Sequence, residues 1–130
     1  MAEYPNDLKY TKEHEWARVQ GKAVVVGITQ HAQESLGDVV YVELPKVGAA
    51  VSAGTPFGVI ESTKAVSELF APISGKVVKV NIALVDAPQT VNEDPYGAGW
   101  LIEVEASAPN PLEQLMDSTA YQKLIQEKGD

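Results

Sequence analysis

Two runs of β-forming residues, Phe57 to Ile60 and Val66 to Phe70, are separated only by Glu61-Ser62-Thr63-Lys64-Ala65. Pro56 stands ahead of the first run and Pro72 behind the second, so both strands are bounded. Strands this close pair only as a hairpin, and the polar residues between them put Lys64 near its tip. Ser62 and Thr63 tolerate a turn, Glu61 and Glu68 are acidic neighbours, and the small Ala65 leaves room for a second protein to approach the amine. A solvent-facing lysine ordinarily does no more than keep a surface hydrated, so the hairpin alone does not assign it a task.

The rest of the chain is organised as short β segments around this hairpin. Residues up to Tyr10 read as an irregular lead-in. Glu15 to Gln20 and Lys22 to Ile28 read as two strands around Gly21, with Val24, Val26 and Ile28 on one face at period two. Thr29 is the expected N-cap of a short helix over Gln30 to Leu36, with Gly37 as its stop. Asp38 to Leu44 returns to strand, with Val40, Val42 and Leu44 sharing a face and Pro45 ending it. After the hairpin, Lys76 to Val80 reads as a strand with Val78 and Val80 inward. Asn81 to Gly99 is a longer connection, and Trp100 to Glu105 is the last strand. Asn110 as cap, Pro111 at the first helical position and Glu113 two residues later predict a C-terminal helix with Leu112, Leu115 and Met116 as its apolar stripe. A second helix from about Ser118 would use Tyr121, Leu124 and Ile125 at helical spacing. One domain over residues 1–130 is expected, with a core at about 15–105 and a helical extension at about 110–127.

Charge and cysteine usage exclude several classes. Ten basic against eighteen acidic side chains give a net charge of −8, the wrong sign for a nucleic-acid footprint and suited to soluble partners with basic faces. No apolar window approaches a membrane-spanning length. The absence of cysteine removes disulfide scaffolds, thiolate metal sites and cysteine nucleophiles, so any dithiol chemistry must come from an added group. The start, Met1-Ala2-Glu3-Tyr4-Pro5-Asn6-Asp7, has neither an apolar signal region nor the arginine-rich look of a transit peptide. A bacterial cytoplasm is the expected location, or the mitochondrial matrix for an already processed eukaryotic chain.

No catalytic constellation stands out. His14 and His31 are the only imidazoles, and no set of metal ligands surrounds them. His14 lies between Glu13 and Glu15, which on a strand would face the opposite side. Ser35, Ser62 and Ser74 have no nucleophile-elbow context, and Gly97-Ala98-Gly99 is explained by a turn before Trp100. A Schiff-base role for Lys64 would need a desolvated amine, whereas a hairpin tip between two glutamates keeps it hydrated and charged. Acylation suits the position better, because amide formation removes the charge and mounts a flexible arm on a rigid scaffold.

The segment Glu61-Ser62-Thr63-Lys64-Ala65, followed by Ala71-Pro72-Ile73-Ser74-Gly75, resembles the lysine-modification hairpin of lipoyl and biotinyl carrier domains. His14-Glu15-Trp16, Gly27-Ile28-Thr29, Leu36-Gly37-Asp38, Val42-Glu43-Leu44-Pro45, Pro95-Tyr96-Gly97 and Gly99-Trp100-Leu101 narrow the resemblance to the H proteins of the glycine cleavage system. It runs from about Leu8 to Tyr121, and Thr63 stands where that family more often has Val. The resemblance implies a mainly β barrel-sandwich hybrid of the lipoyl/biotinyl carrier type, with a short helix in the N-terminal half and C-terminal helices. It implies lipoate as the cofactor, covalently attached to Lys64, with Glu61, Ser62, Thr63 and Ala65 as recognition context. It also implies a non-catalytic carrier that takes the aminomethyl group of glycine from a pyridoxal-phosphate glycine decarboxylase to a tetrahydrofolate-dependent aminomethyltransferase. Dihydrolipoamide dehydrogenase, with FAD and NAD, then reoxidises the dithiol, and lipoate-attaching enzymes install the arm. By matching positions, Glu15 and Glu68, with Glu13 and His14 close by, are candidates for holding the amine end of the loaded arm in a cleft. A monomer without metal, nucleic-acid or membrane ligands is expected.

Rival readings differ at identifiable residues. A biotin domain usually has Met on both sides of its lysine, where this chain has Thr63 and Ala65. Lipoyl domains of 2-oxoacid dehydrogenases more often have Asp before the lysine and a tethering linker. A lipoyl-relay donor or an unlipoylated adaptor would keep the same lysine and is the alternative function.

Overall fold

The computed structural model describes residues 4–107 and 111–127. The chain runs through β1 (Lys9–Tyr10), β2 (Glu15–Gln20), β3 (Ala23–Ile28), α1 (Gln30–Leu36), β4 (Val39–Glu43), β5 (Ala50–Val51), β6 (Pro56–Ser62) and β7 (Val66–Phe70). It continues through β8 (Gly75–Val80), α2 (Ala83–Asp86), α3 (Thr90–Glu93), β9 (Ile102–Ala106) and α4 (Ser118–Glu127). A six-stranded sheet ordered β1-β2-β3-β9-β8-β5 faces a three-stranded sheet ordered β4-β6-β7, and every pairing is antiparallel. This is the mainly β barrel-sandwich arrangement that the resemblance implied, with the lysine hairpin forming most of the smaller sheet.

Between the sheets lies the main core, including Val24, Val26, Ile28, Ile60, Leu69, Val77 and Val104. Each such aliphatic side chain taken out of water contributes about 1.5–3 kcal/mol. The opposite face of β2 and β3 is buried as well. Trp16 and Val25 pack there under Leu8, Tyr10, Tyr121 and Ile125, so the lead-in and α4 cover the back of the larger sheet. Tyr10 is part of a short strand rather than of an irregular lead-in, because its backbone pairs both β2 and Met116.

Two phase assignments from period two and one helix are corrected. In β4 the buried residues are Val39 and Val42, while Val40 is 53% exposed and Leu44 is only half-buried. A bulge between Val39 and Tyr41 inserts one residue, so Val39 rather than Val40 points inward ahead of it, while Val42 and Leu44 keep the expected side. In β8 a bulge between Val77 and Lys79 buries Val77 completely and leaves Val78 exposed at 41%. The predicted helix from Pro111 is a series of turns, and Asn110 lies outside the described residues. Met116 exchanges backbone hydrogen bonds with Tyr10, N to O at 2.8 and 2.9 Å, so its peptide groups are used in sheet pairing and are unavailable to a helix. The connection from Asn81 to Gly99 also contains more structure than expected, in the short helices α2 and α3.

Close approach of strands explains one glycine. A Cβ on Gly27 would lie 2.5 Å from the indole of Trp16, which is fully buried and held by Nε1–H donating to the Pro95 carbonyl at 3.0 Å. The ring has nowhere to move. Gly27→Ala is expected to cost about 1–3 kcal/mol, read as a thermal midpoint lowered by several degrees, and an unchanged midpoint would show that the indole can relocate. Among the described residues, no helix is long and apolar enough to cross a membrane.

Candidate functional site

Local chemistry builds the lysine hairpin. Register pairs Glu61 with Val66 and Ile60 with Ser67, leaving Ser62 to Ala65 as the connection. Ser62 closes it: its N–H donates to the Ala65 carbonyl at 2.8 Å, and its Oγ accepts from the N–H groups of Lys64 and Ala65 at 3.3 and 3.1 Å. A serine supplying its hydroxyl to a turn is a standard local device. Thr63 N–H donates to the Asp38 carbonyl at 3.0 Å, tying the tip to the segment that follows α1. Lys64, Thr63 and Ala65 are exposed, and Glu61 is half-buried.

The stem of Lys64 has a defined neighbour. A Cβ built on Gly37 would come within 3.4 Å of Lys64 Cε and 3.9 Å of Cδ. Gly37 has φ +81° and stops α1, its N–H donating to the Gln33 carbonyl at 3.1 Å. The same glycine therefore ends the helix and leaves space for the lysine stem. Asn92 of α3 secures this end, its Nδ2 donating to the Gly37 carbonyl at 2.7 Å and its Oδ1 accepting from Val39 N–H at 2.8 Å.

Next to the hairpin lies a cleft of about 300 Å³. Ala32, Ser35 and Leu36 of α1 form one wall, Ala65 to Leu69 the other, and Glu13 to Glu15 the far end. Glu13, His14, Glu15 and Glu68, separated by up to 55 residues in the chain, all line it. Their environments differ. Glu13 and Glu68 are exposed, and Glu68 shares a cross-strand row with Val59 and Glu43 at the edge of the smaller sheet. Glu15 is 2% exposed, with Oε1 accepting from Thr11 Oγ1 at 2.7 Å and Oε2 from Phe70 N–H at 3.2 Å. Burial pushes its pKa up to about 8, the hydrogen bonds from Thr11 and Phe70 opposing that rise and the Glu13 charge adding to it. Glu15 also borders a second, more apolar hollow of about 700 Å³ beside Phe70, Pro72, Leu115 and Met116. Its carboxyl thus stands between the two.

His14 lies just ahead of β2 and not on a strand, so strand alternation does not govern where Glu13 and Glu15 point. It occupies a turn before β2 with φ +73°, its Nδ1 lying 2.7 Å from the Tyr121 hydroxyl and its ring centroid 4.6 Å from that of His31. Among the described residues, no group of three or more His, Cys, Asp or Glu side chains is arranged to hold a metal ion. What the cleft offers is an apolar lining from Ile28, Leu36, Ile60 and Leu69, and a carboxyl at its end that gains from pairing with a cation.

Sequence reasoning did not single out Gly37 as a contact of Lys64, nor the α1 residues of the cleft wall, nor Tyr121 as more than an apolar helix position. The one available signal was chemical: a buried tyrosine hydroxyl needs a hydrogen-bond partner.

Comparison with known proteins bears on this site. A family model described as "Glycine cleavage H-protein" matches residues 8–128. The glycine cleavage system H protein of Myxococcus xanthus (strain DK1622) is 70% identical over 122 residues, 94% of this chain and 95% of that protein. The one from Anaeromyxobacter sp. (strain K) is 64% identical over 126 residues, covering 97% of this chain and 98% of its own. Among solved structures, the crystal structure of a glycine cleavage system H protein from Mycobacterium marinum superposes with a TM-score of 0.85 at 45% identity, covering 97% of this chain and 99% of that one.

Proposed function

The chain belongs to the glycine cleavage H-protein family, and from that premise we propose that it acts as a single-domain lipoyl carrier with its arm on Lys64. In this reading it shuttles the aminomethyl group of glycine and is substrate, not catalyst, for its partners. Those partners are a pyridoxal-phosphate glycine decarboxylase, a tetrahydrofolate-dependent aminomethyltransferase, dihydrolipoamide dehydrogenase and the enzymes that attach lipoate. The carrier works as a monomer in a bacterial cytoplasm, a location in keeping with its bacterial relatives.

One observation supports this reading above the rest. The Lys64 amine is exposed on a hydrogen-bonded tip, its stem rests on Gly37, and the next residues along both elements, Ala65 and Leu36, line the cleft. From Gly37 back to Ala32 is about 7.5 Å along the helix axis at the usual rise, less than a lysine stem continued by an acyl chain. Lipoate supplies a dithiol on which cargo rides. The chain's residues do the rest: Ser62 and Asp38 fix the tip, Ala65 leaves the amine open to an attaching enzyme, and Ile28, Leu36, Ile60 and Leu69 keep water from an arm folded into the cleft. Glu15, assisted by Glu13 and Glu68 at the rim, accepts hydrogen bonds from the cargo's ammonium.

The test is the intact mass of the chain from cells supplied with lipoate, followed by peptide mapping. A lipoyl-sized addition on the Lys64 peptide is the expected result. An unmodified lysine in the presence of a competent ligase overturns the reading.

A further inference from the structure

We propose that Tyr121 is a positioning residue through which the C-terminal helix α4 holds the α1 wall of the cleft at a set separation from its far end. Its single hydroxyl lies 2.7 Å from His14 Nδ1 and 2.8 Å from Thr29 Oγ1. Those two residues begin the far end of the cleft and its α1 wall. His14 leads into Glu15 at the far end, while Thr29 caps α1, its Oγ1 accepting from Ala32 N–H at 3.2 Å. The α1 wall and the far end are also joined directly where Thr29 N–H donates to the His14 carbonyl at 3.1 Å. One oxygen from α4 therefore completes a bracket across the end of the cleft.

The bracket is rigid because the phenol cannot turn. Tyr121 is fully buried, stacked on Tyr10 at 4.8 Å with planes 6° apart, and meets Tyr4 and His14 edge-on at 5.5 and 5.7 Å. The start of α4 is itself fastened, with Asp117 Oδ1 accepting from Ala120 N–H at 2.8 Å and Ser118 Oγ donating to the Tyr4 carbonyl at 2.6 Å. His14, at φ +73°, holds a backbone conformation that a non-glycine residue keeps only where its surroundings impose it. The hydrogen-bond chain also serves either tautomer of the imidazole. The phenol can donate to an unprotonated Nδ1 and accept from Thr29, or accept from Nδ1–H and donate to Thr29. It thus fixes position without demanding one protonation state.

The experiment uses the full chain without lipoate, so its outcome is separate from whether Lys64 is modified. Tyr121→Phe keeps the stacked ring and removes only the oxygen. Amide hydrogen exchange in the first turn of α1 and in residues 11–15 is expected to quicken about tenfold, as for the loss of one or two hydrogen bonds. The amides of β8 and β9 should be unchanged, and the His14 imidazole resonances should shift. Acceleration by the same factor throughout the core would mean a packing role only, and it overturns the proposal, as does wild-type exchange with unshifted His14 resonances. If Tyr121→Phe does not fold, His14→Asn decides. Asparagine tolerates positive φ but is too short to reach the phenol, so only residues 11–15 should exchange faster, and no change there overturns the proposal.

Discussion

Lys64→Arg is expected to fold as the wild type does, to carry no lipoyl group, and to support no glycine-dependent turnover by the assembled cleavage system. The fold should be indifferent because Lys64 is exposed and its stem lies beside Gly37. Surface substitutions of this kind stay within about 0.5 kcal/mol. The chemistry should be abolished because acylation requires a neutral amine as nucleophile, and a guanidinium does not deprotonate in proteins. Arginine also keeps the positive charge that acylation removes, which on a chain of net charge −8 leaves the tip electrostatically like the unmodified carrier. Intact mass, thermal midpoint and exchange of labelled bicarbonate into glycine would be read together. Residual exchange by the arginine variant would mean that the arm sits elsewhere.

Glu15→Gln is expected to release ammonia from the loaded carrier about tenfold to a hundredfold faster, the loss of one hydrogen bond to a charged group. Glutamine keeps the shape and can still accept from Phe70 N–H, so the change isolates charge. It should also remove a pH dependence. The carboxyl's pKa is raised from 4.5 to about 8 in the folded chain. Between those values the folded state binds more protons than the unfolded one, so the stabilisation is full below about 4.5 and is lost as the pH rises to about 8. Wild-type stability to urea should therefore fall across that window by an amount on the order of a few kcal/mol, while the glutamine of the variant does not titrate and makes no such contribution. Cargo retention runs the other way. An ammonium beside Glu15 favours the carboxylate, so its binding expels a proton, and retention by the wild type should strengthen as the pH approaches 8. Parallel pH profiles for the two chains would remove Glu15 from the cargo site.

The position of Glu15 is what sets these expectations for it. Glu15 lines both the 300 Å³ cleft and the 700 Å³ hollow yet is only 2% exposed, and Thr11 and Phe70 donate to its carboxyl. From the sequence, the resemblance put Glu15 and Glu68 forward by matching position, with Glu13 close by, but no physical property told the three apart. Burial separates them, because it raises the free energy of the charged form for Glu15 and leaves the exposed pair hydrated.

Local grammar was legible where short-range chemistry decides the structure. Thr29 caps α1 and Gly37 stops it, at φ +81°, as their residue types predicted. The hairpin tip fell at Ser62 to Ala65 because bounded β runs that close together have no other way to pair. Period two failed at Val40 and Val78, since a bulge shifts the phase by one residue and nothing in the alternation announces it. The expected helix at Pro111 failed because the backbone of Met116 finds Tyr10 across the molecule.

By itself, then, the chain's sequence determined the hairpin, its exposed lysine and the capped helix beside it, all of which depend on neighbours a few residues away. Only the tertiary structure decided that Glu15 would reach Phe70 N–H, 55 positions on, and that Tyr121 would bridge Thr29 and His14, 92 and 107 positions back. Those contacts are set by how two sheets and a C-terminal helix pack. Packing selects partners by shape and burial over distances that no local periodicity encodes.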